Sequence, residues 1–562
     1  MSDALSDTLT LAEFPPVSTA DWDAVVLKDQ KGIAPKSKLF YRADDLVGLE
    51  YLNSTPGEFP FTRGTRPENR WKIREVVHNT REAHAALDAG ADEIRFVLGD
   101  QNVLEAIGKL PRCAVHFDTT GQASVEVLRA LVEAAPQSLA NIESGSIDYT
   151  ALPDFDQAAR LLRALPIPRF RPIAIRACFQ FSGMGATPVQ QVAFALAEGA
   201  EIIAQLTARG FTADQAAQWI AFEFDAGSNY FLEIAKFRAA RTLWARIVES
   251  FGPADARAGK MTVCAHTSYL TKTIYDPYVN VLRATTEAMA AAIGGADSIE
   301  VGAFDRTYRE PDEASRRLAR NTQLILRREA GLDRSVDAAG GSYYLETLTD
   351  SFAREAWALF QKVEAAGGFL KYSRAISDDI GRARAERELA VGARRIAIVG
   401  TNQYPNLDER MLPKIEREGI DARYARIFEQ IRLRTERHAA RTGQTPRFLL
   451  LEAGDVKMRK ARSGFITNFF GCAGFEIRIS GELTGDPDAV VLCSSDPEYA
   501  ALAPRVIQEL RAAGKATPVI VAGNPADSIE ILKQAGVADF VHARSNAAEV
   551  LRAWQERLGV KD

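Results

Sequence analysis

The sequence predicts an α/β protein in which a closed (β/α)8 barrel of the TIM type is followed by an open parallel sheet of flavodoxin-like form. Three observations predict it. Short apolar runs alternate with helical patterns over the first part of the chain, a charged stretch interrupts that rhythm once, and five further strand-like runs follow before the end. With 562 residues, 46% of them apolar and 25% charged, the chain can bury more than one core.

Residues 1–40 read as an N-terminal arm. They carry no positive charge before Lys28 and hold Asp3, Asp7, Glu13, Asp21 and Asp23, which argues against a secretory or arginine-rich targeting segment. Their periodic pattern is too sparse for a core of their own, so the arm is expected to pack on another surface. Residues 41–395 read as the barrel. Apolar runs at 94–98, 114–117, 172–175, 220–224, 261–264 and 298–301 suit buried parallel strands, with helical patterns between them. An echo marks the junctions: Gly90-Ala91-Asp92-Glu93-Ile94, Gly199-Ala200-Glu201-Ile202-Ile203, Gly295-Ala296-Asp297-Ser298-Ile299 and, more loosely, Gly536-Val537-Ala538-Asp539-Phe540. Glycine suits the left-handed position that closes a helix, and the apolar residues after it can start a strand; the Gly199 copy can instead lie within one helix. Six or more such units, without the glycine-rich dinucleotide fingerprint, favour a closed barrel over an open sheet.

Residues 396–446 read as a linker. From 403 to 445, 16 of 43 residues are charged, and Tyr424, Ile427, Phe428 and Ile431 stand at helical spacing, which predicts an amphipathic helix inside it. Residues 447–562 form the second domain, with strands expected at 447–451, 475–479, 489–492, 518–522 and 539–541.

Charge and composition narrow the function. A net charge of -5 gives no field attractive to phosphate backbones, so nucleic acid is not an expected partner. No apolar run approaches the roughly 20 residues of a membrane span, so no membrane association is expected. Cys113, Cys178, Cys264, Cys472 and Cys493 are far apart, form no metal-ligand spacing and read as reduced thiols of a cytoplasmic protein. No two of the six histidines have the spacing of a metal-binding helix, and no catalytic serine or P-loop motif is present. Two constellations stand at expected strand ends: Val115-His116-Phe117-Asp118-Thr119-Thr120-Gly121 and Val263-Cys264-Ala265-His266-Thr267-Ser268. The C-terminal end of barrel strands carries active sites, although hydrogen-bonded structural histidines would look the same.

From Tyr41 onward the chain resembles the methylmalonyl-CoA mutase family. The resemblance rests on Phe61-Thr62-Arg63-Gly64-Thr65-Arg66-Pro67 with Trp71-Lys72-Ile73-Arg74, on Gly185-Ala186-Thr187-Pro188-Val189-Gln190-Gln191 and on Glu233-Ile234-Ala235-Lys236-Phe237-Arg238-Ala239-Ala240-Arg241. It continues through Arg283-Ala284-Thr285-Thr286-Glu287-Ala288-Met289, Arg320-Asn321-Thr322-Gln323-Leu324-Ile325-Leu326 and Asp337-Ala338-Ala339-Gly340-Gly341-Ser342-Tyr343-Tyr344. It implies a barrel that, in catalytic members, threads the pantetheine of acyl-CoA along its axis, closed by a cobalamin-binding-type, flavodoxin-like domain that holds adenosylcobalamin.

In those members a D-x-H-x-x-G motif supplies the cobalt ligand. The matching stretch here is Lys457-Met458-Arg459-Lys460-Ala461-Arg462, which places Arg459 at the ligand position, and no histidine occurs between 439 and 541. A guanidinium has no lone pair for a metal, so the loop holding Lys457, Arg459 and Arg462 is read as a degenerate ligand loop and no metal is expected. Three readings of this basic cluster stay open: a solvated or partner-facing surface, a salt bridge to a catalytic subunit, or a phosphate or nucleotide site. Counting back from the Arg283 block, the family's active-site histidine falls on Cys264, and no tyrosine lies between Arg63 and Trp71 to face substrate.

The resemblance therefore points to the small, non-catalytic subunit of a mutase that interconverts methylmalonyl-CoA and succinyl-CoA. The expected partner is a homologous catalytic large subunit in a heterodimer, wrapped by the arm, with acyl-CoA and adenosylcobalamin bound by that partner and none on this chain. The alternative is an independent cobalamin-dependent acyl-CoA mutase using His266, which shares a strand face with Cys264.

Overall fold

The computed structural model describes residues 18–29, 31, 41–42, 48–49, 56–99, 103–119, 124–148, 154–167, 169–417 and 422–561. Of the expected arm, the helix Thr19–Asp29 is described, with Val25 and Leu27 exposed; most of the rest of 1–40 lies outside the described residues. A short antiparallel pair, β1 (Tyr41–Arg42) and β2 (Gly48–Leu49), precedes the barrel.

Eight strands form the barrel: β3 (Lys72–Val77), β4 (Glu93–Val97), β5 (Cys113–Asp118), β6 (Ile142–Asp148), β7 (Phe170–Arg176), β8 (Ile220–Ala226), β9 (Val263–Thr267) and β10 (Ser298–Glu300). They close in the order β10-β3-β4-β5-β6-β7-β8-β9, and neighbours run parallel. The six runs expected from apolarity fall on six of these strands. Two strands, β3 and β6, lack that signal because alternate positions are polar: Lys72 and Arg74 in one, Ser144, Ser146 and Asp148 in the other. For the same reason β9 is displaced from 261–264, since His266 belongs to the strand.

Alternation sorts each strand into two faces. Ile94, Phe96, Val115, Phe117, Ile147, Ile173, Ile175, Phe222, Phe224, Val263 and Ile299 belong to the buried apolar layer beneath the helical shell. The opposite face, toward the axis, carries Arg74, Glu93, Arg95, His116, Asp118, Asp148, Arg176, Glu223, His266 and Glu300.

Motif blocks that read as unusual in the sequence have structural work. Thr187 caps the helix Pro188–Thr207 in a reciprocal box with Gln190, and Pro188 occupies the first turn, where its missing N–H costs nothing. Within that helix lies Gly199, the echo copy that does not mark a junction. A Cβ there would stand 2.7 Å from the Trp244 ring, so glycine permits the close approach of the helix Tyr230–Ser250. Gly90, Gly295 and Gly536 do close helices at positive φ and lead into strands. At the start of the barrel strands, Arg63 and Arg238 share Asp337 (3.0 and 2.9 Å), Arg238 adds Glu346 (2.8 Å), and Arg241 donates to the carbonyls of Phe61, Thr62 and Gly294. These bonds clasp four distant segments together.

The linker is a packed layer over the loops that follow β9 and β10. Its helix, Arg426–Thr442, places Glu429 to accept from the Ile274 N–H (2.8 Å) and Glu436 to accept from the Tyr275 hydroxyl (2.9 Å). Ile274, Tyr275, Tyr308, Met411 and Leu433 form the apolar cluster beneath. Arg423 pairs with Glu429 at 2.6 Å, both fully buried. Arg283 reaches the Val399 carbonyl (2.7 Å), and Glu287 pairs with the buried Lys272 (2.5 Å), tying two further motif residues to the same junction. Beyond it, β11 (Arg447–Glu452), β12 (Glu476–Ser480), β13 (Ala489–Cys493), β14 (Val519–Val521) and β15 (Asp539–Phe540) form a parallel sheet in the order β12-β11-β13-β14-β15. That is the flavodoxin-like order, with its switch point between β11 and β13.

Candidate functional site

The strand ends direct attention to the barrel axis, and the axis is occupied by ions. Arg74 on β3 donates to Glu93 on β4 (2.7 Å) and, across the barrel, to Glu223 on β8 (2.7 Å). Arg95 on β4 crosses to the same Glu223 (2.9 Å) and to Glu300 on β10 (3.1 Å). Arg176 on β7 holds Asp148, Asp118 (3.2 Å) and again Glu223 (3.1 Å). Glu223 thus receives three guanidiniums, and the bridges run from wall to wall. Arg95, Asp148, Arg176, Glu223 and Glu300 were not singled out in the sequence, and Arg74, Glu93 and Asp118 stood there only within motif stretches, without this role. The signal for them was there, in charges at alternate positions of otherwise apolar strands, as in Glu93-Ile94-Arg95 and Ser298-Ile299-Glu300.

Burial penalises each charge, and the pairing decides the outcome. For Glu223 burial acts upward, but Arg95, His266 and Arg74 outweigh it and hold the carboxyl well below the usual range; Arg74 does the same for Glu93. Asp148 goes the other way, pushed to about 6 by burial that Arg176 does not fully offset. His116 is lowered by burial and by Arg74, which leaves a neutral ring that receives the Arg74 Nη2–H at Nε2 (3.0 Å) and donates from Nδ1 to Ser146 (2.8 Å).

His266 lies nearer the mouth. Its Nδ1 stands 3.1 Å from Glu300, and its Nε2 lies between Arg95 (2.9 Å) and Glu223 (3.3 Å). Burial disfavours the imidazolium, yet the facing acidic groups, Glu300 among them, raise its pKa well above the ordinary value. A cavity of about 130 Å³ opens here, lined by His266 with Cys178, Ser182, Asp225, Tyr269 and Arg306 among others. Cys264, where the family's histidine was expected, does not line it. It sits two residues earlier on β9, buried, level with Glu223 and Ser298 on the neighbouring strands.

Among the described residues, Cys178, Glu223 and His266 bring three ligand-type atoms within 4.8 Å of one another. The donor set does not suit a cation, because Arg74, Arg95 and Arg176 all point at the shared Glu223.

In the second domain, the expected ligand loop is a correction: Lys457, Arg459 and Arg462 lie in a helix, Val456–Gly471. Asp455 caps it by accepting from the Met458 N–H (2.8 Å), and the residues that follow are strong helix formers. Lys460 pairs with Glu452 (2.7 Å) and Arg462 with Asp496 (2.9 Å), while no carboxylate among the described residues pairs with Lys457 or Arg459. At the switch point the polar groups bond to one another. Glu498 accepts from the Ser494 and Ser495 hydroxyls (both 2.6 Å) and from the Asp455 N–H (3.1 Å), which lowers its pKa to about 2. These residues do not fit adenosylcobalamin as a protein-ligated cofactor: the position expected to ligate cobalt is a helical guanidinium, and the nearby carboxylate is already committed.

The comparisons with known proteins agree with this architecture. The chain matches the family described as Methylmalonyl-CoA mutase over residues 157–448. It is 36% identical to the methylmalonyl-CoA mutase small subunit of Porphyromonas gingivalis, covering 98% of each chain. It is 33% identical to the probable methylmalonyl-CoA mutase small subunit of Mycobacterium tuberculosis over 90% of this chain and 88% of that one, and 31% identical to the small subunit of Streptomyces virginiae over 99% of both. Full-length similarity at this level, together with the barrel and second sheet, shows that the chain belongs to the methylmalonyl-CoA mutase family.

Proposed function

We propose that this chain is the non-catalytic small subunit of a heterodimeric methylmalonyl-CoA mutase, paired with a homologous larger subunit that binds acyl-CoA and adenosylcobalamin and performs the isomerisation. One observation carries the reading. Glu223 draws Arg74, Arg95 and Arg176 across the barrel axis, along the line a pantetheine chain would need. Opening that path would leave several buried charges unpaired, at about 3–5 kcal/mol for each broken pair, far more than thioester binding could offset at one site. The helical position of Arg459 and the internally bonded Glu498 support the same reading for the cofactor. The arm at 1–40, whose sequence pattern is too sparse for a core of its own, then serves as a contact with the partner.

A second reading has its own support, since His266 lines a cavity beside Cys178 and could act on a small acyl group as an independent cobalamin-dependent mutase. Substitution in the purified complex separates the two. Cys264→Ala, Arg459→Ala and His266→Gln should each leave kcat within a factor of about two in a complex that still assembles. A fall of a hundredfold or more for His266→Gln, with assembly intact, would favour the second reading.

A further inference from the structure

A second cavity, of about 220 Å³, lies between the end of β3, the loop after β10 and the helix Glu313–Leu324, and shares only Glu300 and Arg306 with the mouth cavity. Its polar groups are incompletely used. Gln323 is 1% exposed and its Oε1 has no partner; Arg320 is 5% exposed, pairs with Glu75 through Nη1 (2.6 Å) and leaves Nε without one. Arg306 donates Nη2 to the Thr267 carbonyl (2.9 Å), but its buried Nε is also unpartnered, and no carboxylate among the described residues forms an ion pair with it. Arg316 has carboxylates only at 3.8 and 3.9 Å. Arg417, by contrast, is matched by Glu310 at 2.6 Å.

Buried polar groups without partners are costly, so two guanidinium Nε–H donors and one amide oxygen left unpaired around one cavity indicate a missing partner. After the close pairs are set aside, Arg306 has no carboxylate partner among the described residues and Arg316 has only the longer pairs to Glu82 and Glu313, an arrangement that suits an anion. Guanidinium edges suit the oxygens of a phosphate, and the Gln323 amide can turn its NH2 toward the same group, since the two amide ends are interchangeable in shape. The loop after the last strand is also a frequent location for phosphate in barrels of this type. Val76, Val301, Ala303, Pro311 and Ala319 supply an apolar wall, which suits a compact organic body attached to the phosphate.

We propose that this cavity binds a small phosphate monoester, independently of whether the barrel axis is catalytic. The test is calorimetric titration of the purified full-length chain with glycerol 3-phosphate, inorganic phosphate and succinate at constant ionic strength. Saturable, one-to-one binding of glycerol 3-phosphate, tighter than inorganic phosphate and weakened at least tenfold by Arg316→Gln, is the expected result. The surface-facing Arg163→Gln should bind as the native chain does. Gln323→Leu should raise the melting temperature without ligand, because an unpartnered buried amide is removed, and should abolish the further rise that glycerol 3-phosphate gives. Absence of saturable binding, equal binding of succinate, a preference for inorganic phosphate, or binding that survives in Arg316→Gln would each overturn the proposal.

Discussion

His266 and Cys264 share a strand face, and that much follows from the two-residue period of a strand. What surrounds them does not follow, because Glu223 is 149 positions from Arg74 and 128 from Arg95, and only barrel closure brings them together. Glu223 is the residue on which the network turns. Glu223→Gln keeps the shape but removes the charge that three guanidiniums face, and should lower stability by about 3–5 kcal/mol at pH 7, read from urea unfolding. The pH dependence has a definite sign. Glu223 and Glu93 have folded pKa values below their ordinary 4.5, so the stability they contribute is present above that pH and is lost as pH falls toward the folded values. Asp148, raised to about 6, opposes this trend between its ordinary value of 3.8 and 6. His266, with its pKa raised, contributes stability that is complete below 6.5 and is lost as pH rises through its folded value. The native chain should therefore lose stability steeply below pH 4.5, and Glu223→Gln should flatten that slope; an unchanged slope would remove Glu223 from the account.

At the level of elements, six barrel strands were legible from their apolar residues although most of them also turn charged residues to the axis, and two were not. β3 and β6 escaped because Arg74, Ser146 and Asp148 interrupt their apolar runs. The helix at Val456–Gly471 was signalled by its cap, Asp455, but the family resemblance drew the reading of 457–462 toward a loop. The linker helix was legible from Tyr424, Ile427, Phe428 and Ile431, whereas its docking was not, since Glu429 and Glu436 reach residues 155 and 161 positions away. Glu429→Gln removes the charge that Arg423 pairs with at 2.6 Å and weakens a contact between barrel and linker. Calorimetry should then show the single unfolding transition splitting in two, the barrel and the second sheet melting separately. A single transition merely shifted to lower temperature would mean that the rest of the interface couples the two without this pair.

Across the whole molecule, the alternation of strands and helices sufficed to read a closed barrel followed by an open sheet, because each unit announces itself locally and parallel connections have few solutions. The chain's part in a complex is a different matter, since contacts with another subunit leave no local pattern. If the arm serves that role, removing residues 1–35 should weaken assembly with the larger subunit at least tenfold in sedimentation or light scattering. The melting temperature of the isolated chain should shift by no more than a few degrees. Full-strength assembly of the shortened chain would assign the contact elsewhere.

The central claim is that the axis and the switch point have been given over to internal ion pairs and hydrogen bonds, so that the chain supports catalysis without holding the cofactor. The most direct measurement is the corrinoid bound per chain, by absorbance, after titrating adenosylcobalamin into the purified chain alone and into its complex with the larger subunit. The account predicts none on the isolated chain and one per heterodimer. Stoichiometric binding to the isolated chain would contradict it and return His266 to the position of a catalyst.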